Sequence, residues 1–181
     1  PPGGELHWTR PLDVLVSAVA IPLSWRLPLR RAIVLGGSIV PVLLGCALVI
    51  VIAWAAGPFL GRFGLVLTGF AVVAQQALAH LFRFSYVDHH GLIVLLLGIG
   101  WAGVVRSFTS ESRGPAILAG IAAGLGVWVT VESLGWIGVV SAALALLWVL
   151  EGRIHHVDTL TTMFTTAAIV AAAGLALERP P

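Results

Sequence analysis

Residues 32–56, AIVLGGSIVPVLLGCALVIVIAWAA, decide the class of fold. The segment contains no Asp, Glu, Lys or Arg. About 20 apolar residues are enough for an α-helix to cross the hydrocarbon core of a bilayer. We expect Pro41 to kink this helix, which membrane helices tolerate because neighbouring helices satisfy the freed backbone groups. The segment therefore predicts a membrane-spanning helix.

The composition of the whole chain agrees with that prediction. Hydrophobic residues make up 59% of the 181 residues and charged residues only 10%, whereas soluble domains carry about 25% charged residues. The chain is therefore predicted to be an integral membrane protein in contact with the lipid bilayer. The net charge of +2 and the lack of a basic cluster with interleaved aromatic residues argue against a nucleic-acid partner.

Further apolar segments follow the first along the chain. We expect close helix packing where small residues recur at Gly120 and Gly124. Residues 12–27 are shorter and carry Trp25 and Arg26, which favours an interfacial helix. The sequence thus predicts an all-α transmembrane bundle in one domain, residues 1–181, with about five spanning helices plus the interfacial one. The apolar segments are 32–56, 64–82, 91–108, 115–131, 134–150 and 160–177, and polar turns are expected at 57–64, 109–114 and 151–158.

The two ends of the sequence suggest a longer protein. No Met opens the chain, and residues 1–13 lack the apolar run of a signal peptide. We therefore expect the chain to be a piece of a longer membrane protein. All ten basic residues are arginine, and Lys and Asn do not occur. This bias is typical of GC-rich coding sequences and suggests a bacterial source.

The segment RFSYVDHH, residues 83–90, leads into the apolar run at 91–108. Ionisable groups at the edge of a membrane helix are a functional-site hypothesis by default, and Asp and His together bind divalent cations. If the segment is extended, Asp88 and His90 share one side and can hold an ion, while His89 faces away. The alternative is that Asp88 only caps the following helix.

Two other groups should lie on the same side of the membrane as Asp88 if the spans alternate. The first is the segment HWTR, in which Trp8 and Arg10 are either an interfacial anchor or, with His7, contacts for a phosphate or sugar. The second is Glu132, which interrupts an apolar stretch. Its carboxylate is either partnered by a metal, Arg or His, or it is a satisfied residue at a helix end.

The remaining histidines are given structural roles. We expect His80 to be packed and hydrogen-bonded. His155 and His156, close to Asp158, are expected to lie in a solvated loop on the side opposite Asp88, although a second metal site there remains open.

The segment YVDHH, residues 86–90, resembles the second acidic motif of type-C membrane glycosyltransferases, which include the catalytic subunits of oligosaccharyltransferases. Residues 1–13, PPGGELHWTRPLD, are similar to the end of the first external loop in bacterial members of that class. The region 129–136 around Glu132 also resembles those proteins.

The resemblance implies an enzyme that transfers a sugar from a polyprenyl-phosphate-linked donor at the outer face of a bacterial inner membrane. It implies a divalent cation, Mg or Mn, held by Asp88 and His90 together with an acid that would precede Pro1. Asp88 and Glu132 would be catalytic, and residues 1–13, 83–90 and Glu132 would face the periplasm or exterior. The substrate contacts implied are His7, Trp8, Arg10 and His89.

The rival interpretation is a non-enzymatic transporter or membrane-complex subunit with an ion or proton site. Transporter sites tend to lie near the bilayer midplane, often at broken helices. The predicted positions of Asp88, His90 and Glu132 are all at helix ends, which favours the enzyme.

Overall fold

The computed structural model describes residues 11–110 and 112–178. These residues form helices and connecting turns without any strand, so the predicted all-α class is confirmed. The helices are α1 (Pro11–Ser24), α2 (Leu29–Ala74), α3 (Gln76–Leu81), α4 (His89–Ser107), α5 (Gly114–Val129), α6 (Ser133–Glu151) and α7 (Ile154–Glu178).

Four helices are long and apolar enough to cross a bilayer, namely α2, α4, α6 and α7. The chain is therefore described as an integral membrane protein. Two shorter apolar helices, α1 and α5, pack beside them. The structure does not establish the expected count of about five spans. Residues 12–27, predicted to be interfacial, form α1 and the turn after it. A Cβ added at Gly36 of α2 would lie 3.1 Å from the main-chain oxygen of Val16 and 3.2 Å from the Cβ of Ala20, so α1 packs closely on α2.

The 46 residues of α2 form a helical hairpin. A straight helix of that length would measure about 69 Å, more than twice the hydrocarbon core. The backbone turns at Gly61, whose φ of 60° and ψ of −165° suit glycine. The arm after Gly61 runs back along the first arm, since Gly69 faces Val49. The chain reverses within the turn predicted at 57–64, but only Gly61 departs from helical angles.

The continuous span predicted at 64–82 is wrong. Gln75 adopts extended backbone angles, φ −73° and ψ 107°, and separates α2 from α3. Tertiary anchoring gives the physical reason, because Phe82 after α3 packs against Gly45 of α2 and the bend lets α3 reach that contact. Local apolar periodicity does not record such a constraint.

Contacts between glycines and large side chains set the helix directions. The first arm of α2 runs parallel to α4, because Gly37 meets Val87 and Gly98 lies close to Ile52. Leu92 of α4 shares a core cluster with Val129 of α5, so α4 and α5 are antiparallel. Val104 of α4 packs with Val140 of α6, and the short α5–α6 connection makes α6 parallel to α4. The bundle therefore has two ends. The Asp88 end consists of residues 25–28, 82–90 and 130–133. The Glu151 end consists of residues 108–110, 112–113 and 151–154.

The α5–α7 pair shows the predicted packing through small residues. A Cβ added at Gly120 would lie 2.6 Å from the main-chain oxygen of Met163, and one at Gly124 would lie 2.6 Å from that of Ala167. Only glycine allows the two backbones to approach so closely. This contact makes α5 and α7 a firm pair against which α4 and α6 pack.

Candidate metal centre at the Asp88 end

The turn before α4 is fixed by contacts with α2. A Cβ added to Gly45 would lie 2.8 Å from the Cβ of Phe82. A Cβ added to Gly37 would lie 3.2 Å from Cγ2 of Val87. The two glycines of α2 therefore leave room for the side chains of Phe82 and Val87. These two contacts set the position of Asp88.

Ser85 adds a polar clamp to the same turn. Its φ of 67° lies in the left-handed region, which costs a residue other than glycine roughly 1–2 kcal/mol. Two hydrogen bonds offset this cost: the Ser85 hydroxyl donates to Ser38 Oγ at 2.9 Å, and its N–H donates to the Ser38 carbonyl at 3.2 Å. The buried Ser38 hydroxyl donates in turn to the Val34 carbonyl at 2.9 Å. Sequence reasoning missed this clamp, although the small residues GGS at 36–38 were a signal for close approach.

Asp88 caps α4 and collects both following imidazoles. Its Oδ1 accepts the His90 N–H at 3.2 Å, so Asp88 does cap the helix. The same oxygen lies 2.8 Å from Nδ1 of His90 and 3.0 Å from Nδ1 of His89. The expectation that His89 faces away is therefore wrong. The helix begins at His89, so both histidines occupy its first turn and fold back onto the capping residue.

Asp88 lies outside the membrane-spanning segments, and the pKa of its carboxyl is lowered from the ordinary value of 3.8. Burial alone would raise this pKa. The hydrogen bonds from the side chain and backbone of His90, with the nearby charges of both imidazoles, outweigh burial. Asp88 is therefore an anion over the physiological range, as a cation ligand has to be.

The geometry of the three side chains fits one metal ion. One ligand atom from each of Asp88, His89 and His90 lies within 4.8 Å of the other two. Metal–oxygen bonds of about 2.1 Å place neighbouring octahedral ligands about 3 Å apart, close to the distances from Asp88 Oδ1. Their side chains are 22%, 27% and 51% exposed, respectively, so an ion can reach the group from water.

The donor set also indicates which ions fit. Two imidazole nitrogens and one carboxylate oxygen suit borderline transition metals, whereas Mg²⁺ prefers oxygen ligands and water. Of the two ions expected from the sequence, Mn²⁺ fits this group better.

The structure places Glu132 at the Asp88 end but apart from the three clustered ligands. It occupies the position before α6, is exposed, and makes no side-chain hydrogen bond or ion pair within the described ranges. Its N–H donates to Thr130 Oγ1 at 3.3 Å. Glu132 does not belong to the clustered ligands Asp88, His89 and His90. The other residues predicted for the substrate, His7, Trp8 and Arg10, lie outside the described residues.

The histidines at the Glu151 end contradict the expected solvated loop. Because α7 begins at Ile154, His155 and His156 belong to a helix, and His156 is only 3% exposed. Its Nε2 lies 3.1 Å from Glu151 Oε2, and His155 Nε2 lies 2.8 Å from the Ser107 carbonyl. His80 is exposed rather than packed as expected, and its ring lies 4.7 Å from that of Tyr86 in an edge contact.

Comparison of the chain with protein-family models, with curated proteins and with solved structures found no match. The case for a function therefore depends on the residues and their geometry.

Proposed function

We propose that the chain is the membrane part of a glycosyltransferase that takes a sugar from a polyprenyl-phosphate-linked donor. The supporting observation is the convergence of Asp88, His89 and His90 at the mouth of the spanning helix α4. The resemblance of residues 86–90 to the second acidic motif of type-C glycosyltransferases supports the same proposal. In it, the Asp88 end faces the outside of a bacterial inner membrane.

The donor would leave as a phosphate or diphosphate, so negative charge develops on the leaving oxygen. A divalent cation, Mg or Mn, bound there would neutralise that charge. Asp88 and His90 would hold the cation from this chain, with Asp88 supplying the anionic oxygen. The clamp of Ser85 on Ser38 would keep these ligands in place, because a preorganised site stabilises developing charge better than a mobile one.

The remaining predicted site residues have supporting roles in the proposal. Glu132 is an exposed carboxylate at the same end, and it would accept the proton of the acceptor nucleophile. His89 would turn from Asp88 to contact the substrate. Of the upstream segment, Arg10 would contact phosphate through its planar fork, beside His7 and Trp8.

The transporter alternative is less well supported. The helix break at Gln75 is a feature typical of transporters. The exposed residues at that break, Gln75 and Gln76, are uncharged. The ionisable cluster lies instead at the end of α4.

Sugar transfer by the intact protein tests the proposal through two substitutions of Asp88. Asp88→Asn keeps the cap, because Asn and Asp cap helices about equally well, but it removes the charge. Asp88→Ala removes both. We expect each to lower transfer by roughly 100-fold or more, chelator to abolish wild-type transfer, and Mn²⁺ to restore it better than Mg²⁺.

Glu151→Gln is the matched control, since it removes one carboxylate at the opposite end and should leave transfer within about threefold of wild type. Full activity of Asp88→Asn, or activity that ignores chelator, would reduce Asp88 to a helix cap and remove the metal from the proposal.

A further inference from the structure

A groove of about 540 Å³ opens at the Asp88 end, between the start of α2 and the turn before α4. Arg30 and Arg31 lie on one side of it, and Ser85 lies on the other. Ser38 and three apolar side chains, those of Val34, Leu35 and Phe84, line the rest. The groove therefore combines two cations with a hydrocarbon surface.

The two arginines have no acidic partner among the described residues. The acids that form ion pairs there are Asp88 and Glu151, and neither is paired with Arg30 or Arg31. Both are exposed at the start of a spanning helix. Guanidinium groups remain charged and match phosphate oxygens through two parallel hydrogen bonds. The two guanidinium groups of the groove are therefore available to bind an anionic ligand.

The apolar lining decides what kind of anion fits. Val34 is 65% exposed and Phe84 is 57% exposed, which leaves hydrocarbon surface uncovered directly beside the arginines. A free phosphate would leave that surface bare. An amphiphile satisfies both parts, with its phosphate at the water interface and its chain along the helix toward the membrane interior.

We infer that this groove binds the phosphate headgroup of a membrane lipid, with Arg30 and Arg31 on the phosphate and the chain along Val34, Leu35 and Phe84. Ser85 connects the groove to the candidate metal centre, because it lines the groove and precedes Asp88 by three residues. That the bound lipid is the sugar donor rests on the proposed function, but the binding of a lipid phosphate does not.

The test is binding to the purified intact protein in detergent, followed by native mass spectrometry with chelator present. The probes are a short-chain prenyl monophosphate, the corresponding prenol, and inorganic phosphate. We expect the prenyl phosphate to bind wild type and to bind the double variant Arg30→Gln/Arg31→Gln at least tenfold more weakly. The control Arg62→Gln/Arg113→Gln removes the same charge from the opposite end and should bind like wild type.

Each other outcome overturns the inference. Equal binding to the arginine double variant and wild type removes the arginines from the site. Equal binding of prenol removes the phosphate, and competition by inorganic phosphate at the same concentration makes this a free-anion site. The single variants Arg30→Gln and Arg31→Gln give the same comparison if the double variant does not fold.

The metal proposal fails separately from this one. Because binding is measured with chelator present, an inactive or metal-indifferent enzyme leaves the groove result intact. Loss of lipid binding in the arginine variants, with metal-dependent transfer from a saturating donor preserved, would support the groove without bearing on Asp88.

Discussion

The two ends of the bundle contain the same types of residue in different states. At the Asp88 end, the imidazoles of His89 and His90 both lie within 3.0 Å of one carboxylate oxygen and remain partly exposed. At the Glu151 end, His156 is buried against Glu151, which also lies 3.4 Å from Arg153 Nε. An acidic residue near two histidines in a sequence therefore does not by itself predict whether these residues bind a ligand or are buried in the fold.

The two ends differ in whether the histidines already have partners elsewhere in the structure. His155 is held by the Ser107 carbonyl at the end of α4, and the Phe108 ring lies 5.7 Å from that of His156. Within the described residues, no group of three or more ligands forms at that end. At the Asp88 end the carboxylate contacts the two imidazoles and one backbone N–H, and a bound cation can replace the carboxylate as the partner of the imidazoles. The proposed metal site is therefore at the Asp88 end, and the histidines of the Glu151 end have structural contacts.

The largest expected contrast is in activity. His90→Ala should lower sugar transfer by roughly 10- to 100-fold, because it removes a proposed ligand. His155→Ala, which removes a matched imidazole at the opposite end, should stay within about threefold of wild type. Transfer rates of the two variants at equal protein concentration make the measurement, and equal losses would erase the distinction between the ends.

Stability should show the reverse contrast. The side chain of His156 is only 3% exposed and is hydrogen-bonded to Glu151. His156→Ala removes both the buried side chain and this bond, and should lower the free energy of unfolding by about 2 kcal/mol. That corresponds to roughly a 5 °C lower thermal midpoint for a chain of this size. His90→Ala should change the midpoint by less than about 1 °C. Midpoints measured in the same detergent compare the two, and a larger loss for His90→Ala would contradict the assignment.

The sequence was sufficient for the class of fold and for several of its joints. Uninterrupted apolar segments specify helices in a membrane, since backbone groups there need partners within the helix. The turn near Gly61 and the close packing at Gly120 were visible as local signals. The break at Gln75 was not, because it depends on the contact of Phe82 with Gly45.

The candidate site was only partly visible for the same reason. The residues Asp88, His89 and His90 could be identified from their types and position. Their convergence on one oxygen could not, because it depends on α4 beginning at His89 rather than two residues later. The burial of His156 likewise depends on where α7 begins. A shift of a few residues in a helix boundary therefore decides which way these side chains point.

Metal-induced stabilisation offers a third, smaller contrast. A ligand present at ten times its dissociation constant stabilises the folded state by about 1.4 kcal/mol. Mn²⁺ at that concentration should therefore raise the thermal midpoint of wild type and of Glu151→Gln by a few degrees. It should not raise the midpoint of Asp88→Ala. Equal shifts in all three proteins would show that Mn²⁺ acts elsewhere on the protein.

The smallest expected effect is the pH dependence contributed by Asp88 alone. Its pKa in the folded protein is below the ordinary value of 3.8, because the bonds from His90 and the imidazole charges outweigh burial. A depressed pKa means that the folded state holds the proton less tightly than the unfolded state. The stabilisation is therefore complete above pH 3.8 and disappears as the pH falls through the folded pKa. Asp88→Asn has no such carboxyl, so the midpoint difference between wild type and this variant should have its full value near pH 5 and shrink below pH 3.8. Glu132→Gln, which removes an exposed carboxylate at the same end, is the matched comparison for the loss of one charge. A constant difference between wild type and Asp88→Asn down to pH 2.5 would mean that the imidazoles do not hold the Asp88 charge, and the contrast with the Glu151 end would then rest on geometry alone.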